Sequence, residues 1–307
     1  MERMMSVKKQ YQVFGLASSI FLVLMLIGTG FDLAISRTFM NQNSWYGTFF
    51  QIIGILPMYL VVMVSGEIGM AYGWRVRTNR LFANCLMVGS GALGLWQTQK
   101  ALKEVLSYGG AVLHNVKMGQ PVAVANSDMQ VSPLSSGMTF VIAVVIFILF
   151  TCLIQLWLTN KSVQQLEGLL VVAVFATLTV LLAMAVNGAL KQAWGRARPY
   201  ELMQQGNHFT AWYTMNGANG HKSFPSGHAM AATLTVVLAW FTTGKWHKLW
   251  WFGGIGFTVI VDLARVRVGA HFLTDVTCST FLTFAIIYVM WGIYQQIQPA
   301  LTKKDQA

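Results

Sequence analysis

Charge is what this sequence has least of. Only 10% of its 307 residues are Asp, Glu, Lys or Arg, where a soluble chain carries roughly 25%. Most of the chain therefore has no water-facing surface to furnish. With 55% hydrophobic residues and a mean hydropathy of +0.54, its main solvent is lipid. Acidic residues are the scarcer sign, ten against 21 basic ones, for a net charge of +11. The basic residues are too sparse and scattered to form a stripe, which argues against nucleic acid as a partner. The three cysteines, Cys85, Cys152 and Cys278, fall in apolar stretches with no pairing or metal-ligand spacing, so neither a disulfide framework nor a zinc site is expected. There is no internal repeat, no low-complexity segment, no H-E-x-x-H, no Asp/Glu cluster with ligand spacing and no G-x-x-x-x-G-K loop. No metal and no cofactor is expected.

Long apolar runs are what the sequence has in their place. A hydrocarbon core about 30 Å thick is crossed by about 20 apolar residues in a helix. Eight stretches approach that length, at roughly 13–34, 49–72, 81–98, 138–158, 168–189, 229–243, 250–264 and 276–295. They predict an all-α, polytopic transmembrane helical bundle of about eight spans. The stretch 81–98 is diluted by Gly89, Ser90, Gly91, Gly94 and Asn84, a composition that also suits close helix packing. The first run follows Arg3, Lys8 and Lys9, is too long for a signal-peptide core and lacks a cleavage site, so it reads as a retained anchor.

With the N-terminus inside, eleven basic residues fall on the inner side and ten on the outer, but five of the ten lie in the segments assigned to chemistry below. Setting those five aside leaves the excess inside, as the positive-inside rule requires. Two long connections, 99–137 and 190–227, then lie outside. In the first, Ala101, Leu102, Val105 and Leu106 are spaced like one helical face, as in an interfacial helix or a plain spacer. The chain divides into N-terminal spans with their outer loop, 1–137, and a core, 138–307, whose start could be drawn as early as residue 81.

Charges beside a bilayer are costly, so a cluster at span ends is a functional hypothesis. Three pieces form one. Lys191, Arg196, Arg198 and Pro199 follow the fifth span; Ser223, Phe224, Pro225, Ser226, Gly227 and His228 precede the sixth; Arg265, Arg267, His271 and Asp275 join the seventh to the eighth. Lys191 and Arg198 offer fixed charge and a planar fork for phosphate oxygens, or else a basic belt at the headgroups. Ser226 stands at an N-cap position, Gly227 allows a ligand close to the backbone, and His228 lies at the mouth of a helix start suited to an anion. If the chain around His271 is helical, Asp275 four residues on shares its face and holds one ring nitrogen, leaving the other as a directed nucleophile or base. Arg265 adds a further phosphate-binding charge. Asp262, one turn away, either braces it or is simply solvated near a span end, and Glu67 also lies close enough to a span end for solvation to account for it.

Together the pieces supply three cations, backbone donors at a helix start and two histidines, one to attack phosphorus in line and one to protonate the departing alcohol. That is sufficient for phosphoryl transfer without a metal. Ser226 is a rival nucleophile, but no G-x-S-x-G elbow surrounds it.

At these residues the sequence resembles the type 2 phosphatidic acid phosphatase superfamily, which includes soluble bacterial acid phosphatases and vanadium haloperoxidases. The family pattern runs Lys-x6-Arg-Pro, Pro-Ser-Gly-His and Ser-Arg-x5-His-x3-Asp. Lys191, Arg198 and Pro199 match the first, Pro225 to His228 the second, and Arg265, His271 and Asp275 the third. The resemblance covers roughly residues 168–295 and implies a six-span helical phosphatase core with its site on the outer face. By resemblance, His271 forms a phosphohistidine, Asp275 orients it, His228 is the general acid, and Lys191, Arg198, Arg265, Ser226 and Gly227 hold the phosphate. Ala264 stands where the family usually has Ser, and Arg196 and Arg267 read as headgroup contacts. The implied protein is a multi-pass enzyme of the cell (plasma) membrane with a cytoplasmic N-terminus, acting on a lipid phosphate monoester or pyrophosphate; oligomeric state is open. A lipid phosphotransferase is the nearest alternative, and a transporter, suggested by the many spans with Glu67 and Asp262, a more distant one. A haloperoxidase is disfavoured by the lipid-embedded site.

Overall fold

A computed structural model describes residues 7–76, 79–123 and 133–304; Arg3 and Arg77 of the orientation count lie outside the described residues. The helices are α1 (Val7–Phe39), α2 (Trp45–Ile53), α3 (Leu56–Arg75), α4 (Arg80–Lys117), α5 (Ser136–Thr159), α6 (Val163–Trp194), α7 (Gly227–Thr233), α8 (Gly244–Arg267) and α9 (Leu273–Lys304). No strand occurs among the described residues. The fold is the all-α polytopic bundle that the apolar runs predict.

Among the described residues, six segments are long and apolar enough to cross a membrane: Gln12–Phe39, Trp45–Arg75, Ser136–Thr159, Val163–Met203, Gly244–Arg267 and Leu273–Ile297. The other two predicted spans are also helical. The stretch 81–98 is the first half of α4, and the sixth predicted span is the shorter Gly227–Phe241, where α7 passes into a 3-10 stretch, Leu234–Phe241. The predicted outer connection starts later than the sequence suggests. Its first part, with Ala101, Leu102, Val105 and Leu106, is no separate interfacial helix but the continuation of α4, which ends at Lys117.

Helix starts are set by side-chain caps. Ser44, Asn79, Ser135, Ser162 and Ser226 each accept a backbone N–H of the first turn, and at α6 Gln165 returns the bond to Ser162 to complete a capping box. At the far end of the bundle, the Arg75 guanidinium donates to the carbonyls of Leu158, Thr159 and Lys161, closing the C-terminus of α5. At the opposite end, backbone bonds tie Asn41 to Arg267, Gln42 to Ala123, Tyr200 to Gly269, Arg196 to Ser223 and Ser226 to Asp275. The connections that precede α2, α7 and α9 therefore share one end of the bundle, and all three charged pieces sit there.

Helix α3 is the central element. The apolar window of the Trp45–Arg75 segment that it forms with α2 is 61% buried, against 11% for those of α1 and α5, whose large apolar side chains face outward. The main core joins α3, α6, α7, the 3-10 stretch and α9. Helix α1 packs on α9 and α2 on α8, so the N-terminal block is interwoven with the later helices. Two acidic residues correct the solvation reading. Glu67 is fully buried and accepts from Thr151 Oγ1 at 2.7 Å and Gln155 Nε2 at 2.9 Å, a polar tie between α3 and α5. Asp262 is half-buried and does not brace Arg265; its Oδ2 accepts from Thr280 Oγ1 at 2.7 Å, joining α8 to α9, while its Oδ1 is buried with no partner among the described residues. An unsatisfied polar group in lipid costs several kcal/mol, and the bonds to both oxygens of Glu67 remove that cost there.

Candidate active site

The first piece owes its shape to the end of α6. Lys191 lies in the last turn, and Gly195 closes the helix at φ +47°, where a Cβ would lie 2.0 Å from the Gly217 carbonyl oxygen. Only glycine meets both demands. The chain then runs extended through Arg196 to Arg198, and Pro199 opens a 3-10 turn, Pro199–Met203. Lys191 Nζ donates to the Lys222 carbonyl at 3.1 Å. Arg198 donates to the Tyr200 hydroxyl at 2.6 Å, and its backbone N–H to Glu201 at 2.8 Å.

The second piece places Ser226 as N-cap of α7, accepting from the Ala229 N–H at 3.3 Å, with Gly227 and His228 opening the helix. The Ser226 carbonyl is held by Ser279 at 2.5 Å and Asn187 at 3.3 Å. His228 Nε2 faces the Gln51 carbonyl at 2.8 Å, and the Tyr108 ring meets the imidazole edge-on at 5.4 Å. A carbonyl only accepts, so Nε2 carries the proton and gives it to α2. Proton delivery to a ligand from His228 then needs a second proton on Nδ1, or release of the Gln51 bond.

The third piece departs from its predicted geometry. His271 is not helical: it lies in the bend before α9, which starts at Leu273. The four-residue helical spacing to Asp275 therefore does not apply. Asp275 is the third residue of α9 and reaches back to the Phe272 N–H at 2.8 Å, as an acidic side chain does at a helix start. It also accepts from Ser223 Oγ at 2.6 Å and Arg196 at 2.6 Å. Its distance to His271 Nδ1 is 3.8 Å, beyond hydrogen-bond length. The direct partner of Nδ1 is the Ser223 carbonyl at 2.7 Å. That carbonyl fixes the proton on Nδ1 and leaves the lone pair of a neutral ring on Nε2.

Electrostatics keep that ring neutral. Burial, followed by the positive charge of Arg265, Lys191 and Arg198, holds His271 down at about 3, against the opposing pull of Asp275. The same three cations thus converge on His271 from α6, the connection after it and α8. Arg265 is fully buried and donates to the Gln51 side chain at 2.5 Å, and its Nε has no partner among the described residues. Ala264, where a hydroxyl was expected, is fully buried.

Arg196 is the largest correction. It is no headgroup contact: it is fully buried, lies 2.6 Å from Asp275 and 3.0 Å from Asp32, and donates to Thr274 Oγ1 and the Thr210 carbonyl, each at 2.9 Å. Its guanidinium also lies over the Phe272 ring at 4.2 Å. Arg267 donates to the Phe39 carbonyl at 2.6 Å, a protein contact as well. Sequence reasoning passed over Asp32, Gln51, Tyr108 and Tyr200. Of these only Asp32 carried a signal, as an acid inside an apolar run.

Three cations thus surround an oriented imidazole at one end of the helical bundle. Residues 172–299, which contain all three pieces, match the family model of the PAP2 superfamily, and that match supports membership of the type 2 phosphatidic acid phosphatase superfamily. Members of the superfamily are generally phosphatases. No curated protein and no solved structure matches the chain.

Proposed function

We propose that the protein is an integral-membrane phosphatase that hydrolyses lipid phosphate monoesters or pyrophosphates at the outer membrane face. The observation that carries this reading is the Nδ1 bond of His271 to the Ser223 carbonyl, which leaves Nε2 as a directed nucleophile amid Lys191, Arg198 and Arg265. In the first step Nε2 attacks phosphorus, the P–N bond forms as the P–O bond to the alcohol or phosphate leaving group breaks, and His228 protonates the departing oxygen. In the second, water attacks phosphorus, the P–N bond breaks, and His228 takes the water's proton. The three cations, with Ser226 and Gly227 at the start of α7, hold the phosphoryl oxygens. Asp275 steadies the positive charge that grows on the imidazole. Residues 138–307 form the catalytic core, and 1–137 buttress it.

A lipid substrate is supported by the site's place at the end of an apolar bundle, and the outer face by the basic excess on the inner side of the sequence's spans once the five residues of the charged pieces are set aside. Purified protein in mixed micelles is expected to release phosphate from at least one of phosphatidic acid, phosphatidylglycerol phosphate and undecaprenyl pyrophosphate without added magnesium, with vanadate inhibiting. A soluble sugar phosphate should be a poor substrate. Release from none of the lipids would overturn the reading, and a phosphorylated acceptor lipid in place of free phosphate would convert it to phosphotransfer.

Gly227 gives a sharper test of the phosphate cradle. A Cβ there would meet Lys191 Cε and Asn187 Oδ1 at 3.8 Å, ordinary contact, so Gly227→Ala should fold normally. The added methyl would stand on the Lys191 side of the cradle, and a displacement of the phosphoryl group by about 1 Å is expected to lower kcat/KM by about 100-fold. Equal melting temperatures with unequal rates would support this; an unimpaired Gly227→Ala would remove Gly227 from the cradle.

A further inference from the structure

The N-terminal span reaches the reaction centre. Asp32 lies in α1, outside the matched segment, and is 3% exposed. Its carboxylate accepts from Arg196 at 3.0 Å, from the Thr274 N–H at 3.1 Å and from the Thr274 hydroxyl. Arg196 in turn holds Asp275, and Asp275 holds Ser223, whose carbonyl fixes His271. One turn earlier on the same face of α1, a Cβ on Gly28 would lie 2.5 Å from the Thr274 methyl carbon, so α1 is seated tightly against the start of α9.

Charge explains why a second carboxylate should matter. Arg196 and Asp275 alone would cancel. With Asp32, two carboxylates flank one guanidinium, and the group behind His271 carries a net negative charge. When Nε2 bonds to phosphorus the imidazole becomes cationic, and a net negative group nearby favours that state over the neutral ring. A neutral pair would orient the ring as well but would favour its cationic form less. We infer that Asp32 is a positioning residue of the phosphatase reaction, acting through Arg196 to supply the negative charge that stabilises His271 as it is phosphorylated.

This inference rests on the phosphohistidine reading, and the experiment separates the two. Full-length wild type, His271→Ala, Asp32→Asn and Thr274→Val are compared on the same three lipids in mixed micelles, with elution and melting profiles for each. Should wild type be inert, or His271→Ala match it, the phosphohistidine reading fails and takes this inference with it. With that reading standing, Asp32→Asn should lower kcat about tenfold or more, as loss of an outer carboxylate behind a working histidine does, with KM changing by no more than about twofold. Competitive inhibition by inorganic phosphate should be unchanged, because the cations that hold the anion are untouched. A kcat within about twofold of wild type, or a loss confined to KM, would overturn the inference. If Asp32→Asn does not fold, Thr274→Val decides: it keeps the shape and both carboxylates and removes only the hydroxyl shared by Arg196 and Asp32, so kcat should stay within about threefold of wild type, and a loss of about tenfold or more would overturn the inference by assigning the effect to the hydroxyl rather than to the charge of Asp32.

Discussion

Replacement of His271 by Ala or Asn is expected to lower phosphate release by about 10^4-fold or more, the scale on which an enzyme loses its covalent nucleophile. The two variants differ in what else they disturb. His271 is 2% exposed, so Ala leaves a void and orphans the Ser223 carbonyl, at a cost of about 1–3 kcal/mol. Asn retains an N–H that can donate to that carbonyl but has no nucleophilic nitrogen. Asn should therefore melt close to wild type while being as inactive as Ala. Initial rates and melting curves on the same preparations check this, and a variant within about tenfold of the wild-type rate would remove His271 from the covalent step.

Replacement of Arg196 by Met is expected to damage the fold itself. Asp32 and Asp275 are both buried, and each has Arg196 as its ion-pair partner among the described residues. Removing one partner of a buried ion pair costs about 3–5 kcal/mol, because a carboxylate is left without compensation. Here two are left. For a protein of this size that corresponds to a fall in melting temperature of about 10 °C or more. Lysine is a partial substitute: it restores charge, but one ammonium on a flexible stem cannot span both carboxylates and the Thr210 carbonyl as the planar guanidinium does. The order wild type, Lys, Met in melting temperature is the expected result, and a Met variant as stable as wild type would contradict the ion-triad account.

The bundle and the three charged pieces were legible because each is local. Apolar runs of span length announce helices whatever surrounds them, and the pieces 191–199, 223–228 and 265–275 are each short enough for spacing to mean proximity. What spacing concealed was backbone state. The four residues from His271 to Asp275 suggest a shared helical face, but α9 begins only at Leu273, so Asp275 became a helix-start acid and the Ser223 carbonyl took its predicted place. Arg196 was misread for a different reason. A single arginine beside a span end has headgroups as its ordinary environment, and its two carboxylates lie 164 and 79 residues away in the chain. Gln51 and Tyr108 were beyond reach on the same ground, since nothing in α2 or α4 marks a contact with His228. Asp32 was the readable exception: an ionised group within an apolar run must be neutralised by something.

The grip on His271 has a practical consequence for anyone mapping this site by substitution. Ser223 supplies two different atoms, a hydroxyl to Asp275 and a main-chain oxygen to the imidazole. An alanine scan removes the first and cannot touch the second. Position 223 would be scored by its weaker task, and the atom that selects the tautomer would leave no trace in the data. Only a change in the chain's path, or replacement of the amide by an ester at the 223–224 bond to weaken its carbonyl as an acceptor, would reveal it.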